Sequence, residues 1–372
     1  MILRSREAGL LMLSTGTPAL AWCTNWYIRE ETLAAATTRL VNYHHGVPLS
    51  AAWGGGTLSS SDGQRFPVSV RSRRATALPR YFGYGRGITF YTWTSDQWSQ
   101  YGSKVIVTTV REATHVLDAI LDNQTDLPIA EHTTDTAGYT ELVFALFDLL
   151  GLHFSPRIRD IGDQQLYRME RQIMYRNLDP VLRTGIRQDL ILMHWDDMLR
   201  LAGSLRHGWV TASLYITRLQ AYPRQSEFTQ ALQEYGRLVK TIFILRYLES
   251  EAYRRRINLQ LNKGEALHAL RQFLFFANEG RIMRREDEDQ RVQAGCLNLV
   301  TNAVAVWNTV QMAKVIEGLK TEGEPVPDED IAHLAPARYG HINPYGKYSF
   351  DVDESQGDGP LDLEQQPLPG SV

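Results

Sequence analysis

The feature that most constrains the fold of this chain is a change of sequence pattern at about residue 164. Before that point, segments rich in β-branched and aromatic residues, such as GITFYTWTS (87–95), alternate with segments of helical periodicity. From about residue 164 to 260 the pattern is helical, with Phe228, Leu232, Tyr235 and Val239 at helical spacing. We therefore predict an α/β protein in which a mixed sheet is followed by a large all-helical insertion and then by closing helices.

Individual elements follow from the same patterns. In TLSSSDGQRFPVSV, Gly63 predicts a turn between two short strands. We predict further strands at 87–95, 127–136 and in LHFSPRIRD, and helices at 31–45, 111–122, 139–150, about 266–276 and about 292–315. The resulting β-β-β-α-β-α-β order implies helices packed against a mixed sheet.

Composition limits the class of protein. The chain is 43% hydrophobic and 22% charged, as is usual for a folded soluble protein. Its two cysteines, Cys23 and Cys296, exclude a disulfide framework and a zinc site built mainly from thiolates, and they fit a reducing cytoplasm. No segment approaches the roughly 20 apolar residues of a membrane span. The apolar run 8–13 is interrupted by STGTP, so we do not expect a secretory signal.

Charge is distributed unevenly along the chain. The net charge is −3, but residues 317–372 contain 12 acidic and 3 basic residues. Residues 1–316 therefore carry a net charge of +6. The Pro- and Gly-rich acidic end is typical of a solvated tail, whereas the mildly basic body is what a DNA-binding protein needs.

Three acidic residues are candidates for catalysis. Asp62 lies in SSSDGQRF on a predicted strand, Asp135 follows another strand, and Glu265 lies near the start of a helix. Strand ends and helix starts meet at one edge of an α/β sheet, where ligands usually bind. Three such carboxylates could hold two divalent cations about 3.5–4 Å apart. Each residue could equally be a turn cap or a solvated side chain, and two carboxylates would suffice for a glycosidase.

Basic residues suggest a surface for DNA. Between Gly63 and Ser95 there is no Asp or Glu. That interval contains Arg65, Arg71, Arg73, Arg74, Arg80 and Arg86, interleaved with Tyr81, Phe82 and Tyr84. Arginine and aromatic side chains suit phosphate contact and base stacking, although a solvated loop with core aromatics has the same pattern.

Two further arginines and a histidine lie near the second carboxylate in sequence. Arg157 and Arg159 could contact a scissile phosphate, or could pair with Asp160 or Asp163. His132 precedes Asp135 by three residues and could lie near the same site.

Longer blocks of sequence point to a family. WCTNWYIREETL, WGGGTLSSSDGQRF, PRYFGYGRGITFYTWTSDQ, EHTTDTAGYTELVFALFDLLGLHFSPRIRDI, QLNKGEALHALRQ and HINPYGKYSFD occur in that order. Over roughly residues 21–351 they resemble the C-terminal catalytic region of Tn3-family transposases. The resemblance implies a ribonuclease H-like fold with Asp62, Asp135 and Glu265 as its acidic (DDE) triad, separated by 73 and 130 residues. It also implies two Mg²⁺ ions, with Mn²⁺ as a substitute, and DNA 3′-end cleavage followed by strand transfer.

The resemblance divides the chain into six segments. These are an unmatched segment (1–20), a helical lead-in (21–50), the first part of the ribonuclease H-like core (51–163), the helical insertion (164–260), closing helices (261–316) and the acidic tail (317–372).

Family members are much longer than this chain, so we expect a shortened form. The family binds the terminal inverted repeats of its transposon and target DNA, forms a homodimer at full length and works in the bacterial cytoplasm. Without the parts that recognise transposon ends, this chain could be a catalytic core. It could also be a non-catalytic remnant that binds DNA or a full-length partner.

Overall fold

The computed structural model describes residues 17–346 except 111, 137–138, 171 and 222–225. Most of the predicted unmatched segment 1–20, and the part of the predicted acidic tail beyond residue 346, lie outside the described residues. Within the described ranges, no helix combines the length and the apolar character that crossing a membrane requires.

The described residues form strands, α-helices and short 3-10 turns. The strands are β1 (Leu58–Val68), β2 (Thr76–Ala77), β3 (Arg86–Ser95), β4 (Gln100–Val107), β5 (Glu131–Thr134), β6 (His153–Phe154), β7 (Leu166–Arg168) and β8 (Leu182–Gly185). The α-helices are α1 (Thr17–Tyr27), α2 (Glu30–Gly46), α3 (Pro79–Phe82), α4 (Asp118–Leu121), α5 (Glu141–Leu149), α6 (Gln188–Met193), α7 (Trp195–Arg206), α8 (Ala212–Ala221), α9 (Glu227–Glu249), α10 (Glu251–Leu274), α11 (Asp287–Thr321) and α12 (Asp328–Ala332). The 3-10 turns are Pro48–Trp53, Glu112–Thr114, Ile161–Asp163, Arg176–Leu178 and Ala277–Gly280.

The centre of the main sheet is β1. It pairs antiparallel with β3, and β3 pairs antiparallel with β4 and, at its start, with β2. On its other side β1 pairs parallel with β5, which pairs parallel with β6. The sheet is therefore mixed, as the order of elements predicted.

Helices cover both faces of this sheet. Tyr91 and Trp93 of β3 belong to the largest core cluster, which also contains the buried residues of α5. Phe90 belongs to a second cluster with Phe275, at the end of α10, and Leu297 of α11. Alternate strand residues point to opposite faces, so a strand that is covered on both faces needs a continuous apolar run. This explains the sequence GITFYTWTS, and the predicted strand at 87–95 is confirmed.

The predicted turn at Gly63 is wrong. The strand β1 continues through Asp62 and Gly63 without interruption. A Cβ atom at position 63 would lie 2.5 Å from Glu112 Oε1 and 2.7 Å from Thr89 Cγ2. Close packing against the sheet, rather than a change of chain direction, therefore requires glycine here.

The segment 164–260 is not all helical within the described residues. It begins with β7 and β8, which form a separate two-stranded parallel sheet, before the helices α6 to α9. Strands of three or four residues are too short to give a periodic signal, which is why the sequence did not indicate them. The strand β4 was not predicted either. The helix α10 continues from residue 251 to 274 and so crosses the predicted boundary at residue 260.

The predicted helix at 111–122 is broken in the structure. A 3-10 turn (Glu112–Thr114) and the short helix α4 replace it. Between them the carbonyl of Val116 accepts a hydrogen bond of 2.8 Å from the indole nitrogen of Trp93. The carbonyl of Val116 is thus bonded to a core side chain and does not extend a helix.

A glycine in α9 allows the helical insertion to pack closely on α5. Gly236 of α9 packs directly on the start of α5, where a Cβ atom at position 236 would lie 1.9 Å from the carbonyl oxygen of Glu141. The two helices can approach this closely only because residue 236 has no side chain.

We expect Gly236→Ala to lower the free energy of unfolding by about 1–3 kcal/mol, because the added methyl group would force the two helices apart. Urea unfolding measures the change. Gly203→Ala in α7 is the matched control: it has open space around the new methyl group and should stabilise by up to about 1 kcal/mol through helix propensity. Equal stability of the two variants would contradict the contact.

Candidate active site

Asp62 and Asp135 are neighbours because β1 and β5 are parallel neighbours. Ser61 is in register with Thr134, so the next residue along each chain is an aspartate. Residues in register on adjacent strands point to the same face of a sheet. The pairing therefore places two carboxylates side by side at the point where β5 ends.

The helix α10 brings the third carboxylate to the same place. Gln260 Nε2 donates hydrogen bonds to Ser60 Oγ (3.1 Å) and to the carbonyl of Thr94 (3.0 Å). One turn later, a Cβ atom at Gly264 would lie 3.8 Å from Ser60 Oγ, so helix and strand meet through small residues. Glu265, the next residue, consequently lies beside the two aspartates.

The three carboxylates line a single cleft. Its volume is about 30 Å³, and it is also lined by Ser60, Arg157 and His268. This volume is enough for one or two water molecules. The structure thus brings together the three acidic residues that the sequence proposed.

Negative charge is concentrated in this cleft. Burial raises the pKa of Asp62 to about 6, and the charges of Asp135 and Glu265 add to the increase. The backbone N–H of Gly63, which donates to Asp62 Oδ1 at 2.8 Å, and the charge of Arg65 act in the opposite direction. Burial and the two neighbouring carboxylates therefore outweigh these opposing effects on the pKa of Asp62.

Asp135 does have a cationic partner. Arg157 donates from Nε (3.1 Å) and from Nη2 (2.8 Å) to the same oxygen of Asp135. The backbone N–H of Thr136 donates to that oxygen as well, at 2.6 Å. The alternative that Arg157 pairs with Asp160 or Asp163 is not what the structure has, since its partner is the carboxylate of the cleft.

The donor set fits a hard divalent cation, but the side chains are not arranged around one. In the described part of the chain, no three His, Cys, Asp or Glu side chains form a group that could hold a metal ion. The oxygen donors in the cleft are those that Mg²⁺ prefers, and a cation there would relieve the repulsion that raises the pKa of Asp62.

Two residues of α10 complete the site and were missed in the sequence. His268 Nδ1 lies 3.7 Å from Asp62 Oδ2, and burial lowers the pKa of His268 to about 3. Arg271 is fully buried, donates hydrogen bonds to Gln64 and Gln100, and has its pKa lowered by burial to about 9. Glu265, His268 and Arg271 are three residues apart, so they share one face of the helix, and this spacing was a signal that could have found them.

A fourth carboxylate lies near the cleft. Burial raises the pKa of Glu112 to about 7, the charges of Asp62 and Asp135 raise it further, and the charge of Arg65 lowers it. Arg65 Nη2 is 3.4 Å from Glu112 Oε1. Because Glu112 lies in a segment with an ordinary helical pattern, nothing in its local sequence indicated this position.

The arginines proposed to contact DNA occupy different environments. Arg65 pairs with Glu112 and lies over the ring of Tyr81, 4.4 Å from its centroid. Arg74 pairs with Asp287 (3.0 Å) and donates to the carbonyl of Val105. The remaining members of the set are exposed: Arg71, Arg73, Arg80, Arg86 and Arg159.

His132 belongs to the core and not to the cleft. Its ring nitrogens are hydrogen-bonded to Ser59 Oγ (2.7 Å) and Ser61 Oγ (2.8 Å), and the ring stacks on Phe147. Burial lowers the pKa of His132 to about 3, so it is neutral at physiological pH. Of the two places open to His132, the structure has it in the core.

Comparison with known proteins now decides the family. The model of the Tn3 transposase DDE domain matches residues 13–348. The chain belongs to the Tn3 transposase DDE-domain family. The match begins within the segment 1–20 that was predicted to be unmatched.

Individual Tn3-family transposases support the assignment. The transposase of transposon Tn1546 from Enterococcus faecium is 42% identical over 93% of this chain and 35% of its own length. The transposase of Tn501 from Pseudomonas aeruginosa is 42% identical over 96% of this chain and 37% of its own. The transposase of gamma-delta from Escherichia coli strain K12 is 42% identical over 90% and 33%. The chain thus spans about a third of the length of these relatives.

The raised pKa values predict how stability depends on pH. A carboxyl group whose pKa is higher in the folded state stabilises the protein below its unfolded pKa of about 4, and that stability is lost as pH rises through the folded value. For Asp62 and Glu112 the loss falls between about pH 4 and pH 7.

We therefore expect Asp62→Asn and Glu112→Gln to raise the thermal midpoint at pH 8 but not at pH 4. The side chain of Asp62 is 41% exposed and is partly screened by solvent, so we expect a gain of about 1 kcal/mol or less from Asp62→Asn. Differential scanning calorimetry at both pH values measures this, with Glu251→Gln on the exposed surface of α10 as control. A lower midpoint of Asp62→Asn at pH 8 would contradict the interpretation that the charge of Asp62 is unfavourable in the folded state.

Proposed function

We propose that this chain is the catalytic domain of a DDE transposase that cuts DNA at the 3′ ends of a transposon and joins them to target DNA. The observation that carries the proposal is that Asp62, Asp135 and Glu265 line one cleft in a member of this family. Two carboxylates on adjacent strands of a mixed sheet and a third on a covering helix also support a ribonuclease H-like core.

The carboxylates of Asp62, Asp135 and Glu265 would hold two Mg²⁺ ions, for which Mn²⁺ could substitute. When bound, such ions lower the pKa of an attacking water or hydroxyl and offset charge on the leaving oxygen. His268 is neutral and lies against Asp62, so it orients that carboxylate without competing for its charge. Buried Arg271 fixes Gln64 and hence the position of β1 under the site.

Arg157 would change partners when DNA binds. Its guanidinium holds Asp135 in the free chain, but a guanidinium pairs equally well with phosphate. A phosphate at the cleft would attract Arg157 and free the carboxylate of Asp135 for a metal ion. Metal and DNA would then bind cooperatively.

The exposed arginines would contact the phosphate backbone. Arg71, Arg73, Arg80 and Arg86 lie in a stretch without acidic residues, and Arg159 follows Arg157 closely. Phosphate contacts of this kind position DNA without reading its sequence. Recognition of terminal inverted repeats, homodimer formation and action in the bacterial cytoplasm are proposals taken from the longer members of the family, about a third of whose length this chain covers.

Substitution of each carboxylate tests the proposal. Asp62→Asn, Asp135→Asn and Glu265→Gln should each reduce Mg²⁺-dependent nicking and strand transfer on transposon-end DNA by about 10²–10³-fold, since each removes charge stabilisation from the transition state. Asp122→Asn, on the surface, should have no effect. Full activity of Asp135→Asn would refute the mechanism. DNA binding without cleavage by the unchanged chain would favour the non-catalytic remnant.

Arg157→Gln should have opposite effects on the affinity of the chain for metal and on its affinity for DNA. Mn²⁺ should bind the DNA-free variant more tightly, because Asp135 loses its competing cation, whereas DNA should bind more weakly. Electron paramagnetic resonance of free Mn²⁺ and fluorescence anisotropy of labelled DNA measure the two affinities. Arg159→Gln is the matched control and should weaken only DNA binding. Weaker Mn²⁺ binding by Arg157→Gln would overturn the proposal that Arg157 exchanges Asp135 for a DNA phosphate.

A further inference from the structure

A second and much larger pocket lies further along the same two elements, β1 and α10, that line the acidic cleft. It has a volume of about 390 Å³, within the range of ligand-binding pockets. Its walls come from β1 (Gln64 to Pro67), from the end of α10 (Gln272 to Phe276) and from the turn at Glu279 and Gly280. We call this space the β1–α10 pocket.

The β1–α10 pocket continues the cleft along the same strand. Gln64 is two residues beyond Asp62 and points to the same face of β1, at a distance of about 7 Å along the strand. That is the rise of about two nucleotides in a duplex. Gln64 is held in place by its hydrogen bond to the carbonyl of His268 (2.9 Å) and by Arg271. A DNA strand with a phosphate at the cleft would therefore have a neighbouring nucleotide at this pocket.

The walls suit an uncharged, flat ligand better than a phosphate. Pro67 and Phe276, whose ring packs on one side against Tyr345 with the centroids 5.1 Å apart, provide apolar surface. The exposed amide of Gln272 makes no hydrogen bond to another described residue. The pocket lies at the C-terminal end of a 24-residue helix, and Glu279 is at its edge. Both features repel anions. Arg65 also contributes to the wall, but its guanidinium pairs with Glu112 and lies over the ring of Tyr81.

The turn that closes the pocket is strained. Asn278 and Glu279 both have positive φ, at 52° and 56°. The turn is held by backbone hydrogen bonds between Ile282 and β1, from Ile282 N to Pro67 O (2.8 Å) and from Ser69 N to Ile282 O (3.0 Å). Strained backbone that is fixed in this way often forms part of a binding site.

We propose that the β1–α10 pocket binds an unpaired nucleobase next to the phosphate held at the acidic cleft. Phe276 provides the stacking surface, and the amide of Gln272 and the carboxylate of Glu279 bond to the edge of the base. The proposal rests on the proposed function of the cleft, because it places the DNA strand there.

The test compares two DNA ligands with the same number of charges. One is a short duplex with a single bulged thymidine, and the other has an abasic residue at the bulge. An extrahelical base is the easiest to accommodate, since it is already unstacked. The 372-residue chain should bind the thymidine bulge about tenfold more tightly than the abasic bulge in fluorescence anisotropy without Mg²⁺.

Variants at the pocket should remove this preference. Phe276→Ala and the exposed Gln272→Ala should bind both duplexes with the affinity that the unchanged chain has for the abasic one. Phe273→Ala is the matched control: this aromatic residue lies at the same helix end but stacks on Tyr339, away from the pocket, and the preference should remain. Gln272→Ala leaves apolar packing intact, so its result is independent of any folding defect in Phe276→Ala.

Equal affinity for the two bulges, no binding of either, or a preference that survives both pocket variants would overturn the proposal. The measurement needs no catalysis, so it separates the two hypotheses. Base preference without Mg²⁺-dependent cleavage would support the nucleobase pocket and contradict the proposed transposase activity. Cleavage without base preference would support the transposase activity and contradict the nucleobase pocket.

Discussion

The parallel pairing of β1 with β5 is the interaction on which the candidate site depends. It connects residues more than 70 positions apart in sequence and sets Ser61 beside Thr134. Asp62 and Asp135, which follow these two residues, are therefore neighbours. Their repulsion is tolerated because the rest of the sheet is well packed, with β3 buried along nearly its whole length. The well-packed sheet thus keeps the two carboxylates close together, whereas they would move apart in a less rigid structure.

The helix α10 provides the second constraint, and it is fixed from several directions. Lys263 Nζ donates hydrogen bonds to the carbonyls of Trp53 (3.2 Å) and Asp96, and burial lowers the pKa of this lysine to about 8. On the sheet side, Gln260 is bonded to Ser60 and Thr94. These contacts define both the height of the helix above the sheet and its rotation.

Long periodic elements and the acidic residues were predictable from sequence, whereas features that depend on tertiary contacts were not. Asp62, Asp135 and Glu265 could be proposed as a triad because they lie in long blocks that resemble one family. Gly63 was misread because Asp-Gly is a typical turn pair, and only the folded chain brings Glu112 against it. His268 was not singled out because its contact with Asp62 depends on the packing of α10 against β1, although its three-residue spacing from Glu265 places both on one side of the helix.

Ser60 and Gly264 have a geometric consequence for the whole site. A Cβ atom at position 264 would lie 3.8 Å from Ser60 Oγ, at ordinary contact distance, so a longer side chain that points this way would meet the strand. The close approach of α10 to β1, and with it the place of Glu265 in the cleft, therefore depends on two small residues that carry no charge. A larger side chain at either position would push the helix, and the carboxylate that it carries, away from the strand.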